Sequence, residues 1–399
     1  EQMEAKKELR QAMMFLQEYG ITMSLALKIY NEYGPRMYGI IRENPYRLAD
    51  DIRGVGFKMA DEIAQKVGIF TDSDYRSRSG IFYTLLQSVS GGHTYLPEEE
   101  LLAGASELLH VDASAMEKHL VDLQMEKRIV VKVGEEDPGH SQSRHVYAAQ
   151  YYYTELNTAR MLHDLNVAGS EPEEEIRKKL GRICAGVDTP PDELQIRAVV
   201  EAVNSGLLII TGGPGTGKTT TVRGIVALFQ KMGLDIVLAA PTGRAAKRMS
   251  ELTGREAQTV HRLLGMSWNE ATQQVTFTKT EKEPLETDAV IVDEMSMVDL
   301  TLFSALLRAL RPGTRLVLVG DADQLPSVGA GNVFSDLIRS GRVETVFLRE
   351  VFRQAEQSAI IRNAHAVNLG QPPQLTNDQK DFFFLCRRDA ERAVSTVVD

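Results

Sequence analysis

The stretch Gly212–Thr219 (GGPGTGKT) limits most strongly what this chain can fold into. It matches the phosphate-binding pattern G-x-x-x-x-G-K-[ST], an apolar strand-like run precedes it, and helix-forming spacing follows from Thr220 to Lys231. Glycines let the backbone curl until successive N–H groups point into one concavity, and the following helix adds the positive end of its dipole. We therefore expect a bound nucleotide here rather than a glycine loop without a ligand.

The residue types of this loop predict separate roles. Lys218 is expected to reach the β- and γ-phosphates, and the hydroxyl of Thr219 to hold a magnesium ion. The predicted nucleotide-binding residues of the loop are Gly213, Pro214, Gly215, Thr216, Gly217, Lys218, Thr219 and Thr220.

At 399 residues the chain is too long for one ordinary domain, and its 43% hydrophobic and 25% charged residues are those of a globular protein. We expect no membrane span and no secretory leader. Cys184 and Cys386 lack metal-ligand spacing, which favours a reducing cytoplasm. The net charge of −10 argues against nucleic acid, but Ala240–Arg262 holds five cations against two glutamates and can present a local basic surface.

The first part of the chain, residues 1–72, is predicted to be helical throughout. Two similar units, Tyr19–Gly34 and Asp50–Gly68, each indicate a helix, a tight turn and a helix. This pattern resembles helix-hairpin-helix modules, in which glycine amides such as those of Gly54 and Gly56 grip a DNA backbone. An ordinary αα-hairpin is the alternative.

Residues 73–150 predict a winged-helix-like module of three helices and a β-pair, Ile129–Val133 and His145–Ala148, joined by a loop or wing. Residues 151–189 indicate a helical linker that ends before Pro190-Pro191.

From 190 to 370 strands alternate with helices, which predicts an α/β domain with a parallel sheet and ligands at the carboxyl ends of its strands. The predicted strands are Leu207–Thr211, Asp235–Ala239, Ala289–Val292, Arg315–Val319 and Thr345–Leu348.

Polar motifs follow these strands. Asp293 is expected to hold magnesium, and Glu294 to polarise the attacking water, unless the pair only caps a strand. Gln324, in a turn after the fourth strand, is placed to orient that water. Arg353 has the character of an arginine finger, although arginines are common on surfaces. Gln195 offers the donor and acceptor that an adenine edge needs.

The segment 240–248 combines a threonine hydroxyl, a helix N-terminus and three cations, which suit a nucleic-acid backbone or a solvated helix face. The ordered motifs resemble the first half of RecD-type DNA helicases of superfamily one. They are LQ at 194–195, GGPGTGKTT at 212–220, APTGRAAKRMSE at 240–251, QTVHRLLG at 258–265, VDEMSMVD at 292–299, VGDADQLPSVGAG at 319–331 and LREVFRQ at 348–354. The helical front end resembles the long bacterial form of these helicases.

The resemblance implies a RecA-like motor domain and an ATP- and Mg²⁺-dependent enzyme that moves 5′ to 3′ on single-stranded DNA and unwinds duplex at single-strand–duplex junctions, in repair or recombination. By the same resemblance Lys218, Thr219, Asp293, Glu294, Gln324 and Arg353 serve ATP. Gln195 serves adenine, and the DNA path is lined by Pro241, Thr242, Arg244, Thr259 and His261.

Family members continue into a second motor domain that closes the ATP cleft, and residues 371–399 can supply only its start. We therefore expect this chain to be a fragment that hydrolyses ATP slowly and does not unwind DNA. One alternative is a nucleotide-switched DNA-binding module without motor activity. A small-molecule kinase is another, but it would leave the basic helix and the glutamine motif without a reason.

Overall fold

The computed structural model describes residues 2–52, 54–69, 73–134, 143–185, 190–269, 274–349, 358–387 and 389–398. Its contacts divide the chain into two compact units, Glu1–Tyr153 and Thr154–Asp399. Within the described residues, no helix is both long enough and apolar enough to cross a membrane.

The first unit opens with short helices separated by glycine turns. They are α1 (Gln2–Glu18), α2 (Met23–Tyr33), α3 (Met37–Glu43), α4 (Arg47–Asp51) and α5 (Phe57–Val67). The turn before α2 contains Gly20 at φ 79°, and the turn before α5 contains Gly54 at φ 102°, backbone values that glycine adopts without strain. Exposed Gly54 and Gly56 alternate with buried Val55 and Phe57, which anchor the second turn to the core. The predicted tandem hairpins are therefore present, although the first helix precedes Tyr19.

The rest of this unit has the predicted winged-helix order. It consists of α6 (Asp74–Ser90), β1 (Tyr95–Pro97), α7 (Glu98–Leu109), α8 (Ala113–Met125), β2 (Ile129–Val133) and β3 (Arg144–Ala148). The antiparallel sheet has the order β1-β3-β2. The sequence did not predict β1, because three residues ending in proline are too short for an alternating pattern. Most of the predicted wing, 135–142, lies outside the described residues.

The second unit is built on a six-stranded parallel sheet of order β11-β4-β10-β9-β5-β6. Its strands are β4 (Leu207–Thr211), β5 (Ile236–Ala240), β6 (Ala257–Thr259), β9 (Ala289–Val292), β10 (Arg315–Gly320) and β11 (Glu344–Phe347). The parallel sheet and all five predicted strands are confirmed. A separate antiparallel hairpin, β7 (Met266–Asn269) with β8 (Gln274–Phe277), was not predicted.

Helices precede, connect and follow these strands in the chain. They are α9 (Ala149–Leu165), α10 (Glu173–Cys184), α11 (Glu193–Asn204), α12 (Lys218–Lys231), α13 (Gly243–Thr253), α14 (Val260–Leu263), α15 (Leu300–Arg308), α16 (Val333–Ser340), α17 (Ala359–Asn368) and α18 (Ala390–Val398). Ile176 and Leu180 of α10 are buried in the same core as Ile225 and Phe229 of α12. Part of the predicted linker thus packs into the second unit, while the domain boundaries themselves stay predictions.

Candidate nucleotide-binding site

Three loops meet at the carboxyl edge of the parallel sheet. In the sheet register Thr211, the last residue of β4, lies beside Gly320 of β10, and Leu318 of β10 lies beside Val292 of β9. Three segments therefore begin at the same edge. They are the phosphate loop after β4, the acid pair Asp293-Glu294 after β9, and the turn 321–326 after β10, which contains Gln324 and is called the glutamine turn. The amide of Ala322 donates to Thr211 Oγ1 at 3.1 Å, which joins the first and third loops.

The phosphate loop, residues 212–217, is shaped by its glycines. Gly215 and Gly217 have φ of 80° and 82°, and Gly217 is the N-cap of α12. Gly212 is required for a different reason, since a Cβ there would lie 2.7 Å from the carbonyl oxygen of Leu348. Thr216 Oγ1 closes the loop by donating to the Gly213 carbonyl at 2.9 Å.

Lys218 folds back onto this loop. Its Nζ donates to the carbonyl oxygens of Gly212 at 2.5 Å and Gly213 at 3.1 Å. Burial lowers the pKa of this ammonium, and the carboxylates of Asp321, Glu294 and Asp293 oppose that shift. The cation thus lies in the loop with neutral acceptors, which phosphate oxygens could replace with stronger, charged ones.

The acid pair is held tightly by its backbone. The Asp293 amide donates to Ala239 of β5 at 3.0 Å, and the Glu294 amide donates to Asp293 Oδ1 at 2.9 Å. Glu294 has a left-handed backbone, with φ of 53°, which is uncommon for a residue with a side chain. Burial raises the pKa of both carboxyl groups; for Glu294 the nearby Asp293 raises it further.

The glutamine turn packs against the segment that follows the acid pair. Ser296 Oγ donates to Gln324 Oε1 at 3.4 Å, while the Gln324 side chain remains exposed. Asp321, at the start of the turn, is only 4% exposed and accepts a hydrogen bond from the Asp323 amide at 3.1 Å. The turn therefore brings an amide and a buried carboxylate to the same edge as Lys218.

Gln195 is buried and already engaged within the protein. Its Oε1 accepts from the Asp192 amide at 3.1 Å in a capping box, and its Nε2 donates to the Gly217 carbonyl at 3.3 Å. It also lines a cavity of about 280 Å³ beside Thr220 and Cys184. The contact of Gln195 with adenine stays a prediction. The sequence did not predict that Gln195 also supports the phosphate loop through its hydrogen bond to Gly217.

Among the described residues, no cluster of three or more His, Cys, Asp or Glu side chains could hold a metal. The predicted magnesium ligands are a hydroxyl, Thr219, and a carboxylate, Asp293. Oxygen donors of this kind fit Mg²⁺, which binds through one or two protein groups together with phosphate oxygens and waters. The donor set therefore fits a metal that arrives with the nucleotide.

Arg353, the predicted arginine finger, lies outside the described residues, so its role stays a prediction. Arg248 on α13, grouped from sequence with the nucleic-acid cations, partly opposes through its charge the rise that burial causes in the pKa of Asp293 and Glu294. Spacing along one helix could not reveal this, because the acid pair belongs to a distant part of the chain.

The predicted nucleic-acid residues of the second unit lie at the ends of β5 and β6 or just after them, at the same carboxyl edge. Thr242 and Thr259 are helix N-caps, and their Oγ1 atoms accept from the amides of Ala245 and Arg262, both at 3.2 Å. Each hydroxyl retains its proton as a donor. Pro241 adjoins Thr242, Arg244 is exposed on α13, and the His261 ring lies 6.5 Å from the Phe277 ring of the hairpin.

Two family models match the chain. The model described as "ATP-dependent RecD2 DNA helicase HHH domain" matches residues 5–95, and the model described as "AAA domain" matches residues 195–330. They fall on the tandem hairpins and on the sheet with the phosphate loop.

The chain is also similar to individual proteins and to a solved structure. The ATP-dependent RecD2 DNA helicase of Deinococcus radiodurans is 31% identical over 91% of this chain and 50% of its own length. The RecBCD enzyme subunit RecD of Mycolicibacterium smegmatis is 44% identical over 37% of this chain and 30% of its own length. The crystal structure of Pif1 helicase from Candida albicans is 25% identical, with a TM-score of 0.35 over 46% of this chain and 45% of that one. The chain spans half the length of the Deinococcus relative.

Proposed function

Because the chain belongs to the RecD-like DNA helicases of superfamily one, we propose that it supplies the ATP site and DNA-gripping front end of an ATP-dependent 5′-to-3′ DNA helicase. The convergence of Lys218, the acid pair and the Gln324 turn at one sheet edge is the observation that carries this proposal. Such a helicase would act on single-stranded DNA and unwind duplex DNA at a single-strand–duplex junction, in repair or recombination.

The ATP chemistry follows from the residue types. Lys218 would leave the loop carbonyls for the β- and γ-phosphates, and Mg²⁺ held by Thr219 and Asp293 would neutralise charge on those phosphates. Glu294 would take a proton from the attacking water, and Gln324 would orient that water. Arg353 is proposed to stabilise charge on the γ-phosphate, and Gln195 to approach the adenine.

DNA is proposed to run along a separate set of residues: Pro241, Thr242, Arg244, Thr259 and His261. The threonine donors and the Arg244 guanidinium suit phosphate oxygens. In the first unit, the turn at Gly54 and Gly56 is proposed to hold a DNA backbone. A Cβ built at either glycine meets no atom within 4 Å, which leaves space for a phosphate to approach the start of α5.

Unwinding of tailed duplexes by the full-length protein tests the direction. We expect ATP-dependent strand separation of a duplex with a 5′ single-stranded tail and little with a 3′ tail. Equal unwinding of both substrates, or unwinding of the 3′-tailed one alone, would contradict the proposed polarity.

A nucleotide-switched DNA-binding module is the second candidate, because the open glycine turn lies in a different unit from the phosphate loop. ATP turnover by the full-length protein with and without single-stranded DNA separates the two. Single-stranded DNA stimulates the ATP turnover of a motor many-fold, whereas it does not stimulate the turnover of a switch.

For the 399-residue chain alone we propose nucleotide and DNA binding with slow hydrolysis and no unwinding, since such motors work by closing two domains on ATP.

A further inference from the structure

Helix α17 contacts two of the three loops of the nucleotide site. A Cβ added to Gly213 of the phosphate loop would lie 3.0 Å from Cε1 of His365 and 3.8 Å from its Nε2. One turn later, Asn368 Nδ2 donates to Asp323 Oδ2 of the glutamine turn at 2.7 Å. Residues three apart share a face of a helix, so one face of α17 meets both loops.

The imidazole of His365 has an unused polar atom at this contact. Its Nε2 is buried and has no hydrogen-bond partner among the described residues. Buried polar atoms are nearly always paired, and leaving one unpaired is unfavourable, so an orphan beside a ligand loop indicates a missing ligand atom.

The position of the His365 ring indicates which phosphate of a bound nucleotide it would contact. The carbonyl oxygen of Gly213 accepts from Lys218 Nζ at 3.1 Å, and Lys218 is the group that reaches the β- and γ-phosphates. His365 therefore lies at the end of the loop that receives the terminal phosphate.

The helix that carries His365 is held in place from several sides. Asn363 and Gln374 exchange two hydrogen bonds, at 3.1 and 2.8 Å, and Asp381 accepts from Ser358 Oγ and from the Ala359 amide at the start of the helix. A side chain on such a helix is pre-positioned, so it need not be ordered when the nucleotide binds.

We propose, on the basis of the ATP site proposed above, that His365 is a further phosphate ligand: its Nε2–H donates to an oxygen of the terminal phosphate of bound ATP. A neutral imidazole carries one N–H, and this contact would place it on Nε2. ADP lacks that phosphate, so the contact distinguishes the two nucleotides. The Asn368–Asp323 hydrogen bond would connect the contact to the turn that carries Gln324.

Three variants of the 399-residue chain test the position of the donor. A glutamine amide nitrogen can stand near Nε2 of histidine, an asparagine amide nitrogen stands near Nδ1, and alanine has neither. We expect His365→Ala and His365→Asn to weaken ATP binding by roughly tenfold to a hundredfold, the effect of one hydrogen bond to a charged group. His365→Gln should bind ATP within a few-fold of wild type, and all three should bind ADP normally.

Competition of ATP and of ADP against a fluorescent nucleotide measures these affinities, and thermal unfolding without nucleotide checks the fold. Equal ATP affinity in all four proteins, or equal loss of ATP and ADP in all three variants, would overturn the phosphate contact. If the alanine variant does not fold, the Gln-to-Asn comparison decides alone. If wild type binds neither nucleotide while Lys218→Ala behaves identically, the ATP site itself is wrong, which is a different failure.

Discussion

At the scale of single residues, the nucleotide site holds its charges in surroundings that disfavour them. Burial lowers the pKa of Lys218 and raises the pKa of Asp293 and Glu294. Burial is the largest cause of each shift, because it disfavours the charged form of the group. A magnesium ion and phosphates would bring the opposite charges, which supports the proposal that these three side chains bind a nucleotide.

Replacing Lys218 tests whether the loop serves ATP. In the full-length protein, Lys218→Ala should abolish ATP-driven unwinding, because alanine removes the cation that is proposed to bind the β- and γ-phosphates. Binding to single-stranded DNA should survive, because the proposed DNA residues follow other strands. The measurements are strand separation and DNA affinity without nucleotide, with Lys231→Ala, at an exposed lysine in the last turn of α12, as the matched control. Unwinding that persists in Lys218→Ala would refute the assignment.

Replacing Glu294 tests the general base. Glu294→Gln should lower kcat for ATP hydrolysis by roughly 10²- to 10⁴-fold while nucleotide binding remains, because the amide cannot accept the proton of the attacking water. Glu251→Gln, at an exposed carboxylate of α13, should leave kcat unchanged. An unchanged kcat in Glu294→Gln would show that another group is the base.

The raised pKa of Glu294 also predicts a pH dependence. Hydrolysis should fall as the pH decreases through this pKa, which lies above the ordinary glutamate value of 4.5, and the Gln variant should lack that limb. The stability of the fold changes with pH in the opposite direction. Because the pKa of Glu294 is raised in the folded state, the folded protein is more stable at low pH and loses stability once this carboxyl group ionises. At neutral pH, Glu294→Gln should therefore unfold at a higher temperature than wild type. A lower Tm would contradict burial as the cause.

At the scale of elements, exposed turns present the proposed DNA contacts while buried neighbours fix them. The turn before α5 has the open glycines Gly54 and Gly56 between the buried side chains of Val55 and Phe57. Gly54 requires its left-handed backbone, whereas Gly56, with φ of −94°, could carry a side chain without strain. Only at Gly56 can space for a ligand be tested separately from backbone strain.

Gly56→Ser provides that test. Serine is a good N-cap for α5, so the stability of the first unit should be kept, but the side chain should block a phosphate and weaken DNA binding by about tenfold. Gly39→Ser is the control, because Gly39 also has no atom within 4 Å of a built Cβ and lies within helix α3 rather than in the turn. Filter binding or fluorescence anisotropy at fixed salt measures the affinity. Equal DNA binding by both variants would remove this turn from the DNA interface.

At the scale of the whole molecule, the two units carry different predicted ligands. The first, Glu1–Tyr153, contains the glycine turns, and the second, Thr154–Asp399, contains the phosphate loop. Ligand binding stabilises the structure that binds it, so each ligand should protect its own residues.

Hydrogen exchange on the 399-residue chain checks this division. ATP with Mg²⁺ should slow amide exchange in residues 212–221 and 293–297 in wild type, but not in Lys218→Ala. Single-stranded DNA should slow exchange in residues 54–60. Protection of the phosphate loop by ATP in the Lys218 variant would contradict the assigned role of that lysine.

Much of the fold could be predicted because the strands of a parallel sheet have a local sequence pattern. Each strand is a short apolar run, and polar motifs follow where it ends. Short elements were missed, since β6 has three residues and the hairpin β7–β8 faces solvent rather than a core. The loop, acid pair and glutamine turn were also predicted to meet. The charge of Arg248 on the acid pair, the bracing role of Gln195 and the contact of His365 with Gly213 depend on which distant side chains become neighbours, and no spacing encodes that.

The strand order has a consequence for how the protein is made. Strand β4, which leads into the phosphate loop and is buried along its whole length, lies between β10 and β11, and these begin only at Arg315 and Glu344. During synthesis, β4 therefore emerges long before either neighbour exists. Contacts so distant in sequence form slowly and leave apolar strands exposed meanwhile. The proposed nucleotide site therefore cannot be complete until residues 315–347 have been made, and both edges of β4 stay unpaired until β10 exists.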